Sequence, residues 1–205
     1  MNNDNNYVHA CGYVKDDVTF SHEDHGVRFY RSAIEVSRLS GNIDKIPIII
    51  SDDLLSDYPL HYGEFYEIWG QFRSFNQKSS EGGKSHLSLF LFVGDIICPY
   101  AKKEDNFVKL TGTVCKDPIF RITPVSNREI TDVLIAVNRS YNKSDYIPCI
   151  LWGENAKNAK DLKIGDTITL NGRFQSREYT KRISEDTSVL RTAFEMSASI
   201  LRVKK

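Results

Sequence analysis

The same order of features runs twice along this chain, about a hundred residues apart, and a duplication of that length implies two similar folded units. The first copy spans Tyr7 to Pro99 and the second Phe107 to Val203. Val8-His9-Ala10-Cys11-Gly12-Tyr13-Val14 answers Val108-Lys109-Leu110-Thr111-Gly112-Thr113-Val114, and Val36-Ser37-Arg38 answers Val137-Asn138-Arg139. Further on, Ile46-Pro47-Ile48-Ile49-Ile50 answers Ile147-Pro148-Cys149-Ile150-Leu151, and Gly70-Gln71-Phe72 answers Gly172-Arg173-Phe174. With 205 residues and 40% apolar composition, each half has enough apolar side chains for a core of its own.

Within the second copy apolar residues alternate at Val108/Leu110/Val114, Val133/Ile135/Val137, Ile168/Leu170/Phe174 and Phe194/Met196/Ala198/Ile200, the period of half-buried strands. Ile147 to Trp152 adds a short apolar strand. After it, Ala156, Ala159 and Leu162 recur at helical spacing before Ile164-Gly165-Asp166 provides a stop. Three strands, a helix and two strands is the OB-fold order, a small Greek-key barrel with an isolated helix. Gly12, Gly70, Gly112 and Gly172 suit the bends such a barrel needs. The first copy has a weaker helix at Asp52 to Tyr58, ended by Pro59. The expected fold is therefore all-β, mainly antiparallel: two tandem five-stranded OB-fold barrels, each with a short helix between its third and fourth strands. The expected divisions are an N-terminal barrel over residues 1–99, a charged linker over 100–106 and a C-terminal barrel over 107–205.

Net charge is zero, but the charge is divided. Lys and Arg number 10 against 16 Asp and Glu up to Asp105, and 17 against 11 from Asn106 onward, a balance of −6 followed by +6. A polyanion would meet the second half. The second copy also carries the flat side chains on which unpaired bases stack. Tyr141 follows Arg139 after the second strand, and Tyr146 and Trp152 bracket the third, an even number of residues apart and so on one face. Tyr179 sits after the fourth strand among Arg173, Arg177, Lys181 and Arg182.

At this point the second copy resembles the bacterial single-stranded DNA-binding protein family over nearly its whole length. The resemblance rests on Asn106-Phe107-Val108-Lys109-Leu110-Thr111-Gly112, Asp117-Pro118-Ile119-Phe120-Arg121 and Ile135-Ala136-Val137-Asn138-Arg139-Ser140. It continues through Ile150-Leu151-Trp152-Gly153, Leu162-Lys163-Ile164-Gly165-Asp166 and Gly172-Arg173-Phe174-Gln175-Ser176-Arg177. It implies base stacking on Tyr141, Tyr146, Trp152 and Tyr179, while the positive balance of this half makes Arg139, Arg173, Arg177, Lys109 and Arg121 candidates for phosphate contact. The first copy resembles the family more weakly and has Ser40, Lys45, Ser51 and Gln77 opposite the four aromatics, which marks it as degenerate for binding. Phe29, Tyr30 and Phe75 are its alternative stacking residues, and Trp69 reads as an interdomain or subunit contact. The resemblance also implies a homodimer with four barrels. The chain stops at Leu201-Arg202-Val203-Lys204-Lys205, so replication or recombination partners are not expected through an acidic tail.

The resulting expectation is sequence-independent binding of single-stranded DNA, in replication, recombination, repair or mobile-element transfer. The alternative is a protein-interaction module of a replication or conjugation complex, and RNA is a third possible ligand. An enzyme is not expected: G-x-S-x-G, Walker and H-E-x-x-H patterns are missing, and the second copy has no histidine. Nor is a cofactor or metal expected, because Cys11, Cys98, Cys115 and Cys149 form no C-x-x-C pair and His22-Glu23-Asp24-His25 reads as a solvated turn. With neither a signal peptide nor an apolar run of membrane length, the expected location is the cytoplasm, away from any membrane.

Overall fold

The computed structural model describes residues 5–77, 86–124, 126–182 and 187–204. The first copy contains β1 (Asn6–Val14), β2 (Thr19–Asp24), β3 (Val27–Ser37), β4 (Ile43–Ser51), α1 (Asp52–Asp57), β5 (Phe65–Gln77) and β6 (His86–Ile97). The second contains β7 (Asp105–Val114), β8 (Ile119–Ile122), β9 (Glu129–Arg139), β10 (Lys143–Trp152), α2 (Glu154–Ala159), β11 (Thr167–Arg182) and β12 (Ser188–Val203). The expected all-β character holds. The short strands β2 and β8, which the sequence pattern does not reveal, form hairpins with β3 and β9. Both are exposed along nearly their whole length, so no alternation marks them.

In each copy the pairings return to their starting strand. β1 pairs with β5, β5 with β6, β6 with β4 in parallel, β4 with β3, and β3 back to the end of β1. The ring β7–β11–β12–β10–β9–β7 repeats this, again with one parallel pair, β10–β12. Inside lie alternate residues of every strand: Val8, Ile34, Ile48, Ile68, Phe72 and Leu91 in one copy, Val108, Leu110, Ile135, Ile147, Phe174 and Met196 in the other. Burying each large side chain of this kind stabilises the fold by roughly 1.5–3 kcal/mol.

The free edge of β1 is shared. Tyr13 and Val14 close the first ring against β3, while Asn6 to Cys11 pair antiparallel with β7, joining all twelve strands into one sheet. Val8 stands opposite Val108, its equivalent in the repeat, so the copies meet about a pseudo-two-fold axis. Asp105 and Asn106, assigned from sequence to the linker, are strand residues opposite Cys11 and Ala10 because β1 offers its unpaired backbone there. Equivalent residues then make reciprocal contacts, as in an isologous dimer interface. Inside each copy the matching asparagine makes the same bonds, Asn6 to both backbone groups of Phe72, at 2.8 Å each, and Asn106 to those of Phe174. The Phe72 and Phe174 rings stack at 4.2 Å. The backbone N–H groups of Lys45 and Tyr146 donate to Ser176 Oγ and Ser74 Oγ, while those of Ser176 and Ser74 donate to Asp44 and Asp145.

Two predictions follow from these close contacts. At the bulges in β5 and β11, a Cβ on Gly70 would stand 2.0 Å from the Phe92 carbonyl oxygen and one on Gly172 2.1 Å from that of Ser197. Gly70→Ala and Gly172→Ala should each cost about 1–3 kcal/mol of unfolding free energy in a denaturant titration. Asp44 is 1% exposed and accepts from the Arg38 guanidinium and the Ser176 N–H. Asp44→Ala leaves both donors without it, and should lower stability by about 3 kcal/mol on the same measurement.

Candidate nucleic-acid interface

The outer surface of the second barrel runs across β9, β10, β12 and β11 in that order. Because Ile147, Cys149 and Leu151 turn inward, Tyr146 and Trp152 turn outward, and the β9–β10 ladder holds its register from Lys143 to Trp152. Tyr146 is 44% exposed, while Trp152 is half-buried and its indole Nε1–H donates to Ser197 Oγ on β12 at 3.2 Å. Tyr141 is 94% exposed in the β9–β10 turn, where it and Asn142 have φ of 62° and 53°. Two successive positive φ values form a turn that favours Asn and Gly, so a tyrosine here sits against local preference. Tyr179 lies farther along β11, opposite Arg191, with the Arg177 guanidinium carbon 5.7 Å from its ring centre.

The cations are less free than the aromatics. Arg139 Nε lies 3.7 Å from the buried Asp145 carboxylate, Arg173 Nε 3.7 Å from Asp44, and Arg177 Nε 3.6 Å from Glu195. Arg121 makes two hydrogen bonds to Asp132, which push its pKa upward. Lys109 is exposed on β7, beyond β11 from the aromatic surface, and Arg121 lies on β8, outside β9. Arg173 is held below the usual arginine range, by burial first and then by Arg38. Arg73 of the first copy is lowered in the same way, by burial and then by Arg139. Two pairs of like charges therefore stand at the seam between the copies.

In the first copy Ser40 is exposed, Lys45 pairs with Asp16 at 2.7 Å, and Ser51 caps α1 by accepting from the Leu54 N–H. The side chains of Gln77 and Lys181 lie outside the described residues. Trp69 stacks on His9 within its own copy, with ring centres 5.3 Å apart. His25 pairs with the neighbouring Asp24, and His22 stacks on Phe29. Tyr30 packs edge-on against Phe20.

The outer face of this copy nevertheless holds a groove of about 1130 Å³, which brings the expected Phe29 and Phe75 together with Phe90 and Phe92, two residues the sequence reading did not single out. Phe29, Phe75, Phe90 and Phe92 line it with Arg31, Lys45 and Arg73, and Arg139, Lys143 and Phe194 reach it from the second copy. The Arg73 guanidinium carbon lies 4.1 Å from the centre of the Phe92 ring, and Phe29 is tilted against Phe92 at 5.7 Å. Phe92 stands opposite Gln71, as Ser197 stands opposite Arg173, so it occupies the place of Trp152's hydrogen-bond partner. The aromatic surface that β10 bears in the second copy is borne by β6 in the first. The available signal was that Leu89, Leu91 and Val93 alternate with Phe90 and Phe92, making both faces of one strand apolar.

Comparison with known proteins places this geometry. The sequence model of the single-strand binding protein family matches residues 105–199. The single-stranded DNA-binding protein of Clostridium tetani is 35% identical over 80 residues, 36% of this chain and 55% of the relative. Single-stranded DNA-binding protein 2 of Chlorobaculum tepidum is 30% identical over 104 residues, 46% of this chain and 68% of the relative. The chain spans about half the length of several curated relatives it matches. The wild-type single-stranded DNA binding protein of Thermus aquaticus superposes with a TM-score of 0.76, covering 98% of this chain and 93% of that one; at 18% identity this is a likeness of fold. On these matches the chain belongs to the single-strand binding protein family.

Proposed function

We propose that the protein binds single-stranded DNA without sequence preference and without catalysing a reaction, by stacking bases on the outer aromatic faces of both barrels. The observation that carries this reading is the outward placement of Tyr141, Tyr146, Trp152 and Tyr179, none of which belongs to the buried core. A stacked base contributes roughly 1–3 kcal/mol, and paired bases cannot offer their faces, so duplex binds poorly. Arg73 and Arg139 stand together at the seam, where the Asp145 carboxylate offsets their mutual repulsion, so they meet phosphates as a pair already partly neutralised. The groove over Phe29 and Phe92 then continues the path onto the first copy, with Arg139 and Lys143 at the crossing.

The same reading carries a homodimer, a cytoplasmic location and partners in replication, recombination or mobile-element transfer. Among the described residues no helix is long and apolar enough to cross a membrane.

The test is a titration with poly-dT of about thirty nucleotides and with duplex of equal length, following tryptophan fluorescence across a salt series. Poly-dT should quench and duplex should not. Trp152→Phe should abolish most of the quenching while Trp69→Phe keeps it. With several arginines engaged by carboxylates, the log-log salt slope should be shallow, about −2 to −4 at roughly −0.7 per phosphate contact. Absence of affinity for poly-dT would overturn the proposal in favour of a protein-interaction module, and tighter binding of the matching RNA would redirect it.

A second measurement separates the copies. Trp152→Ala should weaken binding of oligomers of every length by about tenfold or more, whereas Phe92→Ala should do so for long oligomers and leave those of about ten nucleotides unchanged. Sedimentation should give twice the chain mass.

A further inference from the structure

Away from both aromatic faces, β1 and β5 bring three different metal-ligating atoms to one point. His9 and Cys11 lie two residues apart on β1 and share its outer side, and Cys11 stands opposite Glu67 on β5. Cys11 Sγ, a ring nitrogen of His9 and a carboxylate oxygen of Glu67 all lie within 4.8 Å of one another. His9 Nε2 is 2.8 Å from Glu67 Oε1 and 3.4 Å from Cys11 Sγ. The other ring nitrogen, Nδ1, is 2.9 Å from Asp105 Oδ2, and Trp69 stacks on the imidazole and fixes its plane. A cavity of about 290 Å³ opens onto the cluster, lined also by Phe65, Ala101 and Lys103.

We infer that His9 Nε2, Cys11 Sγ and Glu67 Oε1 bind a divalent ion of the zinc type, with Asp105 holding the far side of the imidazole and a cavity water completing a tetrahedron. The donor set is one nitrogen, one sulfur and one oxygen, which suits a borderline-soft ion and not magnesium or calcium. Ligand bonds of about 2.0–2.3 Å place neighbouring donors of a tetrahedron roughly 3.3–3.7 Å apart. The sulfur–nitrogen separation already meets this, and the nitrogen–oxygen pair has only to open by about half an ångström, within reach of a Glu side-chain rotation. A carboxylate on the second ring nitrogen is the usual outer partner of a metal-bound histidine, because it fixes which nitrogen presents its lone pair. On coordination Cys11 releases its proton to solvent. The ion would tie β1 and β5 directly and the start of β7 through Asp105.

The competing explanation is that His9 bridges two carboxylates and the thiol is idle. Titration of the reduced full-length protein with Co²⁺ distinguishes them, because a cobalt–thiolate bond gives a near-ultraviolet charge-transfer absorption that nitrogen and oxygen ligands do not. The band should saturate at one ion per chain, be displaced by Zn²⁺, vanish in Cys11→Ser and persist in Cys98→Ser and Cys115→Ser. Glu67→Gln and Asp105→Asn should retain the fold by circular dichroism and weaken cobalt affinity by about 10–100-fold. Zn²⁺ should raise the melting temperature of the parent and leave that of Cys11→Ser unchanged. No band in the folded parent, a band that survives Cys11→Ser, or unaltered affinity in Glu67→Gln would overturn the site. None of these readouts depends on DNA binding, so the two proposals fail separately.

Discussion

The backbone ladder between β1 and β7 is the interaction on which the rest of the structure depends. Six residues of β1 pair with six of β7 about the Val8–Val108 pair, so the barrels are joined by continuous hydrogen bonding and not by a tether alone. An exposed strand edge invites pairing with other chains, and here each copy covers the edge of the other. The two-fold relation then sets the contacts across the seam: the stacked Phe72 and Phe174, and the serine and aspartate exchanges between Ser74, Ser176, Asp44 and Asp145.

Because the frame is symmetric, its departures from symmetry are informative. Tyr146 and Lys45 make the same backbone hydrogen bond, yet one carries an exposed ring and the other an ammonium held by Asp16. Trp152 reaches over to Ser197, whereas Ser51 caps a helix and the neighbouring strand supplies Phe92. The first copy has an aromatic surface too, borne by a different strand. Its negative formal balance extends into the groove, where Asp16, Asp17, Glu23 and Asp24 outnumber Arg31, Arg73 and Lys45, and the cations Arg139 and Lys143 come from the second copy.

Much of this was legible in the sequence for a simple reason: burial on one face writes itself as period two. The barrel strands, the shared face of Tyr146 and Trp152 and the repeat register all follow from that pattern. β2 and β8 escaped because they bury almost nothing. The strand character of Asp105 and Asn106 depends on a partner about a hundred residues distant, as does the carboxylate of Asp44 that engages Arg173. Phe90 and Phe92 were hidden in a strand apolar on both faces. His9 and Cys11 share one side of β1 by local spacing, but Glu67 joins them only through the β1–β5 register, which no local spacing encodes.

The pseudo-two-fold axis has a consequence for any ligand that has a direction. A rotation that exchanges the barrels also reverses the sense in which a path crosses them. A polynucleotide running continuously over both outer faces meets one from 5′ to 3′ and its counterpart from 3′ to 5′. Two identical faces would therefore offer the sugar–phosphate chain one set of contacts in the right order and one set backwards. A duplicated protein, unlike a dimer of identical chains, is free to differ at the two faces. The presence of Trp152 on β10 in one copy and of Phe92 on β6 in the other is a difference of that kind.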